Sequence, residues 1–211
     1  MHILLTDLLT CPRCGPAFGL IVLADSFDER RVVEGRLGCA NCRESFPIDR
    51  GVADLRHPTS AALEGSRDFE GDADRAFRAA ALLGTTTSGA TVLVVERSGS
   101  APSLVSDVLS EVHVVGVSAD IPAESGAGVG VLSPLVAGRR LPLRDGSMRG
   151  VALLGTASDD LVAESARVLM PGARLVVDPA ADDLSERLRG LGFTIHLEQE
   201  GVVVAAAPGL G

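Results

Sequence analysis

The sequence has no lysine, tryptophan or tyrosine, and its aromatic rings other than histidine are six phenylalanines. That scarcity removes most of the platforms on which bases or flat ligands stack. All 19 basic residues are arginine, against 28 Asp and Glu, for a net charge of −9. The deficit is uneven: residues 1–56 carry seven Arg against eight acids, and the remainder twelve against twenty. An acidic body displaces few counterions from a phosphate backbone, so direct nucleic-acid binding is not expected. Long apolar runs are missing too. None reaches the roughly 18 residues that span a bilayer, so no membrane association is expected. Met1-His2-Ile3-Leu4-Leu5-Thr6-Asp7 lacks the basic flank and small-residue cleavage site of a signal peptide. The expectation is a soluble cytoplasmic protein.

Cysteine is absent after position 42. The four before it form two pairs, Cys11-Pro12-Arg13-Cys14 and Cys39-Ala40-Asn41-Cys42. Two residues between cysteines let both thiolates point at one metal from a tight turn, and two such knuckles complete a tetrahedral four-sulfur site. The spacer holds two β-rich runs, Phe18–Leu23 and Arg31–Leu37, joined by a polar turn around Asp25–Arg30. They predict two strands that bring the second knuckle beside the first. Cys11, Cys14, Cys39 and Cys42 are therefore the candidate ligands of one structural Zn2+, with iron or a redox pair as alternatives. Disulfides do not fit a chain read as cytoplasmic. A closed four-sulfur shell leaves no open position for activating water.

The opening Leu4-Leu5-Thr6-Asp7-Leu8-Leu9-Thr10-Cys11-Pro12-Arg13-Cys14 and the closing Gly38-Cys39-Ala40-Asn41-Cys42-Arg43-Glu44-Ser45-Phe46-Pro47-Ile48-Asp49-Arg50-Gly51-Val52 carry a resemblance. Over about residues 2–56 the chain resembles the tRNA methyltransferase 112-like zinc ribbons, which activate methyltransferases. The resemblance implies a non-catalytic module that docks on a methyltransferase domain, often by strand addition, and covers an apolar surface.

Residues 57–75 read as a polar, acidic linker between a ribbon domain (1–56) and a second domain (76–211). Asp74–Leu83 is helix-prone and closed by Gly84. Strands and helices then alternate. Thr91–Val95, Val112–Val117, a segment within Gly128–Val136 broken by Pro134, Arg149–Gly155 and Arg174–Val177 read as strands. Pro102–Leu109, Ser158–Leu169 and Ala181–Leu191 read as helices, and Phe193–Leu197 with Val202–Ala206 as a hairpin. This order predicts an α/β, Rossmann-like three-layer domain with a mostly parallel sheet and a C-terminal β-hairpin.

Leu141-Pro142-Leu143-Arg144-Asp145-Gly146-Ser147-Met148 and Glu164-Ser165-Ala166-Arg167-Val168-Leu169-Met170-Pro171-Gly172-Ala173 resemble segments before the fourth and fifth strands of class I S-adenosylmethionine (SAM)-dependent methyltransferases. The resemblance covers about residues 75–208. It implies an acid before a Gly-x-Gly-x-Gly turn after strand one and another acid after strand two. Val94 stands at the first acid position, and Glu96, Ser98 and Ser100 at the glycine positions. Ser118 takes the second acid position, with Asp120 two residues on, and Arg149 stands where an Asp is expected. Ile121–Gly130 is a Gly/Pro/Ser-rich stretch in place of a helix.

One such change is ordinary drift; together they predict a degenerate, non-catalytic domain that does not hold SAM. The expected function is a zinc-binding scaffold or partner protein, binding or activating a methyltransferase or self-associating through the uncharged Val202–Ala206. The alternative is an active SAM-dependent methyltransferase using Asp120 and Glu96. His2, His57, His113 and His196 have no triad or metal spacing.

Overall fold

The computed structural model describes residues 1–58, 60–64, 73–97, 100–120, 131–155 and 157–209. β-Branched and apolar runs in both halves of the chain become strands that join in one sheet. The first half contributes β1 (Thr10–Cys11), β2 (Gly15–Gly19), β3 (Ile21–Asp28), β4 (Arg31–Gly38), β5 (Ser45–Asp49) and β6 (Val52–Asp54), after a 3-10 turn at Ile3–Asp7. The second half runs α1 (Ala73–Leu83), β7 (Thr91–Glu96), α2 (Ser100–Val108), β8 (His113–Ser118), β9 (Val131–Val136), β10 (Met148–Leu154), α3 (Asp159–Val168), β11 (Leu169–Asp178), α4 (Leu184–Gly190), β12 (Thr194–Gln199) and β13 (Val202–Ala206).

Eleven strands lie in the order β12-β13-β11-β10-β7-β8-β9-β6-β5-β4-β3, while β1 and β2 pair separately. The run β11-β10-β7-β8-β9 is parallel. Strand order reverses between β7 and β10, which makes that boundary the topological switch point of a Rossmann-like sheet. The C-terminal hairpin β12–β13 adds antiparallel to β11. With α1 and α2 on one face and α3 and α4 on the other, this strand order gives the expected Rossmann-like three-layer arrangement.

The ribbon pairs directly with the second half of the chain. Its last strand, β6, runs parallel to β9, with Ala53 opposite Leu135 and Asp54 opposite Val136. Leu55 N donates to Val136 O at 2.7 Å and continues the seam. Strand addition therefore occurs within the chain. Of the expected linker, 65–72 lies outside the described residues. Residues 60–64 lie along the start of the β9–β10 connection, where Arg139 N donates to Ala61 O at 2.9 Å and Leu63 is buried. A Cβ at Gly138 would fall 2.5 Å from Ala61 O, so this crossing requires glycine.

Alternation along the strands separates two faces. Val92, Val94, Val114, Ala152 and Val176 cluster with Ala76, Ala80 and Leu83 of α1 and Val105 of α2. Leu93, Val95, Val115, Leu153 and Val177 cluster with α3 and α4, and also with Met1, Leu5 and Leu9 of the ribbon. The β9–β10 connection contains no helix. The ribbon's N-terminal turn, packed with Leu141 and Leu143, supplies apolar cover on that face instead.

Two expectations are corrected. Pro134 does not break its strand: it sits within β9 opposite Gly116. Its missing N–H is tolerated because the β6 ladder begins beyond it, at Leu135. Val202–Ala206 is not an open edge, because β13 is paired on both sides.

Candidate functional site

The cysteine knuckles form where backbone geometry turns sharply. Arg43 N donates to Cys39 O at 2.9 Å and Cys39 N to Glu44 O at 3.0 Å, closing the second knuckle with Arg43 at φ +62°. In the first, Cys14 N donates to Cys11 Sγ at 3.4 Å. The four Sγ atoms lie within 4.8 Å of one another. Cys11 Sγ is 3.7 Å from Cys42 Sγ, and Cys39 Sγ is 3.9 Å from Cys14 Sγ. A regular tetrahedron with metal–sulfur arms of about 2.3 Å has edges of about 3.8 Å. The thiols are thus spaced as the corners of a metal shell. Burial pushes the Cys11 thiol up to about 12. Burial also opposes ionisation of Cys39, yet the N–H groups of Cys42 and Asn41 hold its thiol down to about 7. A cation would relieve that crowding by binding all four as thiolates. Asn41 Nδ2 donates to Cys14 Sγ at 3.3 Å, an outer-sphere contact that spacing alone did not single out.

The first cysteine knuckle is directly continuous with the seam between the two halves. Leu9 bridges Leu143, Thr10 N donates to Pro142 O at 2.9 Å, and Arg144 N to Leu8 O at 2.9 Å. Cys11 is the next residue. On the other side, Arg167 of α3 fixes the receiving segment. It donates to Leu143 O at 2.7 Å and Leu141 O at 2.9 Å while pairing with Glu164 and Asp145. Two of the four histidines also meet at this seam. His113 Nε2 lies 2.8 Å from Ser133 Oγ, which accepts from His2 N at 2.9 Å, and the two imidazoles pack edge-on at 5.3 Å. Ser133 is fully buried, which excludes the Ser–His pair as an accessible nucleophile. Burial, then His2, Arg31 and the N-terminal charge push His113 down to about 4.

The cofactor end of such a sheet is the crevice outside the carboxyl ends of the strands at the switch point. Across it, Leu154 of β10 stands opposite Glu96 of β7 on one side and Asp178 of β11 on the other. Both carboxylates are buried and both are engaged. Glu96 Oε2 accepts from Ala101 N at 2.8 Å and Ser100 Oγ at 3.2 Å, so it occupies the N-terminus of α2. Asp178 accepts from Arg78 Nε at 3.1 Å and pairs with Arg75 at 3.5 Å, which ties α1 to β11. Val94 lies in the core rather than at a polar site. Ser118 Oγ donates to Asp120 O at 2.7 Å, and the Asp120 side chain is exposed. Asp120 also adds, after Asp54, to the charges that hold Arg56 of the ribbon above the ordinary arginine range. Ser98, Gly99 and Ile121–Gly130 lie outside the described residues.

Residues 2–51 match the family model for Trm112p-like proteins. This Trm112p-like segment contains all four cysteines and ends just before β6. No curated protein matches the chain. Solved structures similar to it include a chain of the complex between the Haloferax volcanii Trm112 methyltransferase activator and a putative methyltransferase. That chain is 17% identical with TM-score 0.49, over 69% of this chain and 98% of that one. A second is Burkholderia thailandensis 1,6-didemethyltoxoflavin-N1-methyltransferase, at 17% identity and TM-score 0.49, over 67% and 82%. A third is the [4+2]-cyclase SpnF, at 15% identity and TM-score 0.49, over 73% and 88%. Among the described residues, no helix is long and apolar enough to cross a membrane.

Proposed function

We propose that this chain is a non-catalytic zinc-binding scaffold, in which a Trm112p-like ribbon caps its own methyltransferase-type sheet and the assembly serves a protein partner. Cys11, Cys14, Cys39 and Cys42 would hold one Zn2+ with a structural role, because four thiolates leave no open coordination position. Zinc bound by reduced thiols suits a cytoplasmic protein. The β6 edge is consumed by β9 of the same chain, so a partner methyltransferase would be met through another surface.

One observation carries the non-catalytic reading. The Glu96 carboxylate sits on the α2 N-terminus, at the end of β7, where a Rossmann-like fold offers its backbone donors to a ligand. A ligand entering there must displace a buried anion from its donors. The alternative, an active SAM-dependent methyltransferase, draws its support from the intact strand order and the exposed Asp120.

Crystals of the zinc-loaded chain soaked with S-adenosylhomocysteine test the proposal. The expected map keeps Glu96 on Ala101 N with no ligand above β7 and β8. Ligand density there, with Glu96 swung away, overturns it.

A further inference from the structure

At the opposite end of the sheet, a cavity of about 230 Å³ opens between the end of α1, the start of β10 and the first residues of β11. Its walls include Gly84, Thr85, Thr87, Arg149, Gly172 and Arg174. Among the described residues, the two arginines are its only ionisable lining groups. That is unusual in an acidic chain whose other arginines from α1 onward mostly find carboxylates. Arg75, Arg78, Arg139, Arg167, Arg187 and Arg189 all form ion pairs. Among the described residues, neither Arg149 nor Arg174 does.

Local geometry fixes the pair. Gly150 of β10 stands opposite Arg174 of β11, which places Arg149 one residue before that row. Arg174 Nη1 donates to Leu82 O at 3.1 Å, and its guanidinium lies over Gly84, where any Cβ would collide with it. A guanidinium carries five N–H donors, so one bond to a helix end leaves most of the fork available. Arg forks match oxyanions in geometry as well as charge. The cavity beside the second knuckle, about 350 Å³ and lined by Glu44, Asp54, Arg56 and His57, offers a contrast. There the charges already pair with one another, Asp54 with Arg56 and Glu44 with His57.

We propose that the cavity at the foot of β10 and β11 binds the phosphate group of a small phosphate monoester, held between Arg149 and Arg174. Its volume falls below the roughly 300–1,000 Å³ of sites that enclose a whole drug-sized ligand, so it suits a head group with a short attachment.

The test uses the full zinc-loaded chain, 15N-labelled, titrated with inorganic phosphate and separately with phenyl phosphate at constant ionic strength. Saturable shifts are expected at the amides of Gly84, Thr85, Thr87, Gly172 and Arg174, with phenyl phosphate binding at least as tightly as inorganic phosphate. Arg149→Ala should weaken both by about tenfold or more, the equivalent of one good charged contact. Arg149→Lys, which keeps the charge and loses the fork, should fall between the two and serves if the alanine variant fails to fold. Arg189→Ala, on a paired surface arginine, should bind as the parent does. Shifts that do not saturate, that scatter over the surface, or that persist unchanged without Arg149 overturn the site. Weaker binding of the ester than of the free ion overturns the assignment to a monoester.

Discussion

Replacing Leu9 by alanine separates a ribbon that merely sits beside the sheet from one that is part of its core. Leu9 is fully buried, bridges Leu143 and belongs to the same apolar cluster as Val95 and Val115. Truncating a buried leucine removes its transfer free energy and leaves a cavity, at a cost of about 2–5 kcal/mol. In a protein of this length 1 kcal/mol moves the midpoint by about 2–4 °C, so a mid-range loss of about 3 kcal/mol lowers Tm by roughly 6–12 °C. Scanning calorimetry is the suitable assay, because the chain has no tryptophan or tyrosine to report unfolding. One transition is expected in both proteins, shifted as a whole in the variant, with calorimetric and van't Hoff enthalpies in agreement. Two transitions, with only the smaller one moving, would refute a shared core.

Zinc removal should act on the same unit. Structural zinc contributes about 10–16 kcal/mol of binding free energy, more than the whole net stability of most domains. Cys39→Ser or a strong chelator should therefore abolish the calorimetric transition of the sheet as well as the ribbon; a sheet that still melts cooperatively without metal contradicts this. His113 gives a pH dependence. Its folded value of about 4 lies below the ordinary 6.5, so the unfolded chain binds the extra proton. Its stabilisation is fully present above about pH 6.5 and is lost as pH falls towards 4. At 1.36 kcal/mol per pH unit, the ceiling is about 3 kcal/mol. Urea midpoints between pH 7 and 4.5 should fall less steeply for His113→Gln than for the parent, and equal slopes would remove the imidazole from the explanation. Glu96→Ala should cost about 1–2 kcal/mol through loss of the α2 cap. Chemical denaturation showing no loss would mean that the carboxylate is not engaged.

Much of the fold is written locally in the chain. The short β-branched, apolar runs Val92–Val95 and Leu175–Val177 are typical of buried parallel strands, and Asp74–Leu83 has the composition of a helix ended by Gly84. The two Cys-x-x-Cys pairs announce their cluster because chelate geometry depends on spacing alone. What could not be read is whatever depends on long-range pairing. Val52–Asp54 is too short to show that it will add to β9, and nothing local marks residues 137–147 as a crossover covered by Leu5 and Leu9. Pro134 was misleading for the same reason: its tolerance depends on where the neighbouring ladder starts. His2 and His113 lie far apart in sequence and meet only because the ribbon folds back over β8 and β9. At the carboxyl end of β7, Glu96 was visible as a charge closing an apolar run, but its capture by Ala101 N and Ser100 Oγ required the three-dimensional path of α2.

Titration calorimetry of the zinc-loaded chain with S-adenosylmethionine bears most directly on the claim that the switch-point crevice is closed by the protein's own carboxylate. The prediction is dilution heat alone, for the parent chain and for Asp120→Ala alike. A saturable, one-to-one isotherm that disappears in Asp120→Ala would contradict it, and would return the sheet to the working methyltransferases.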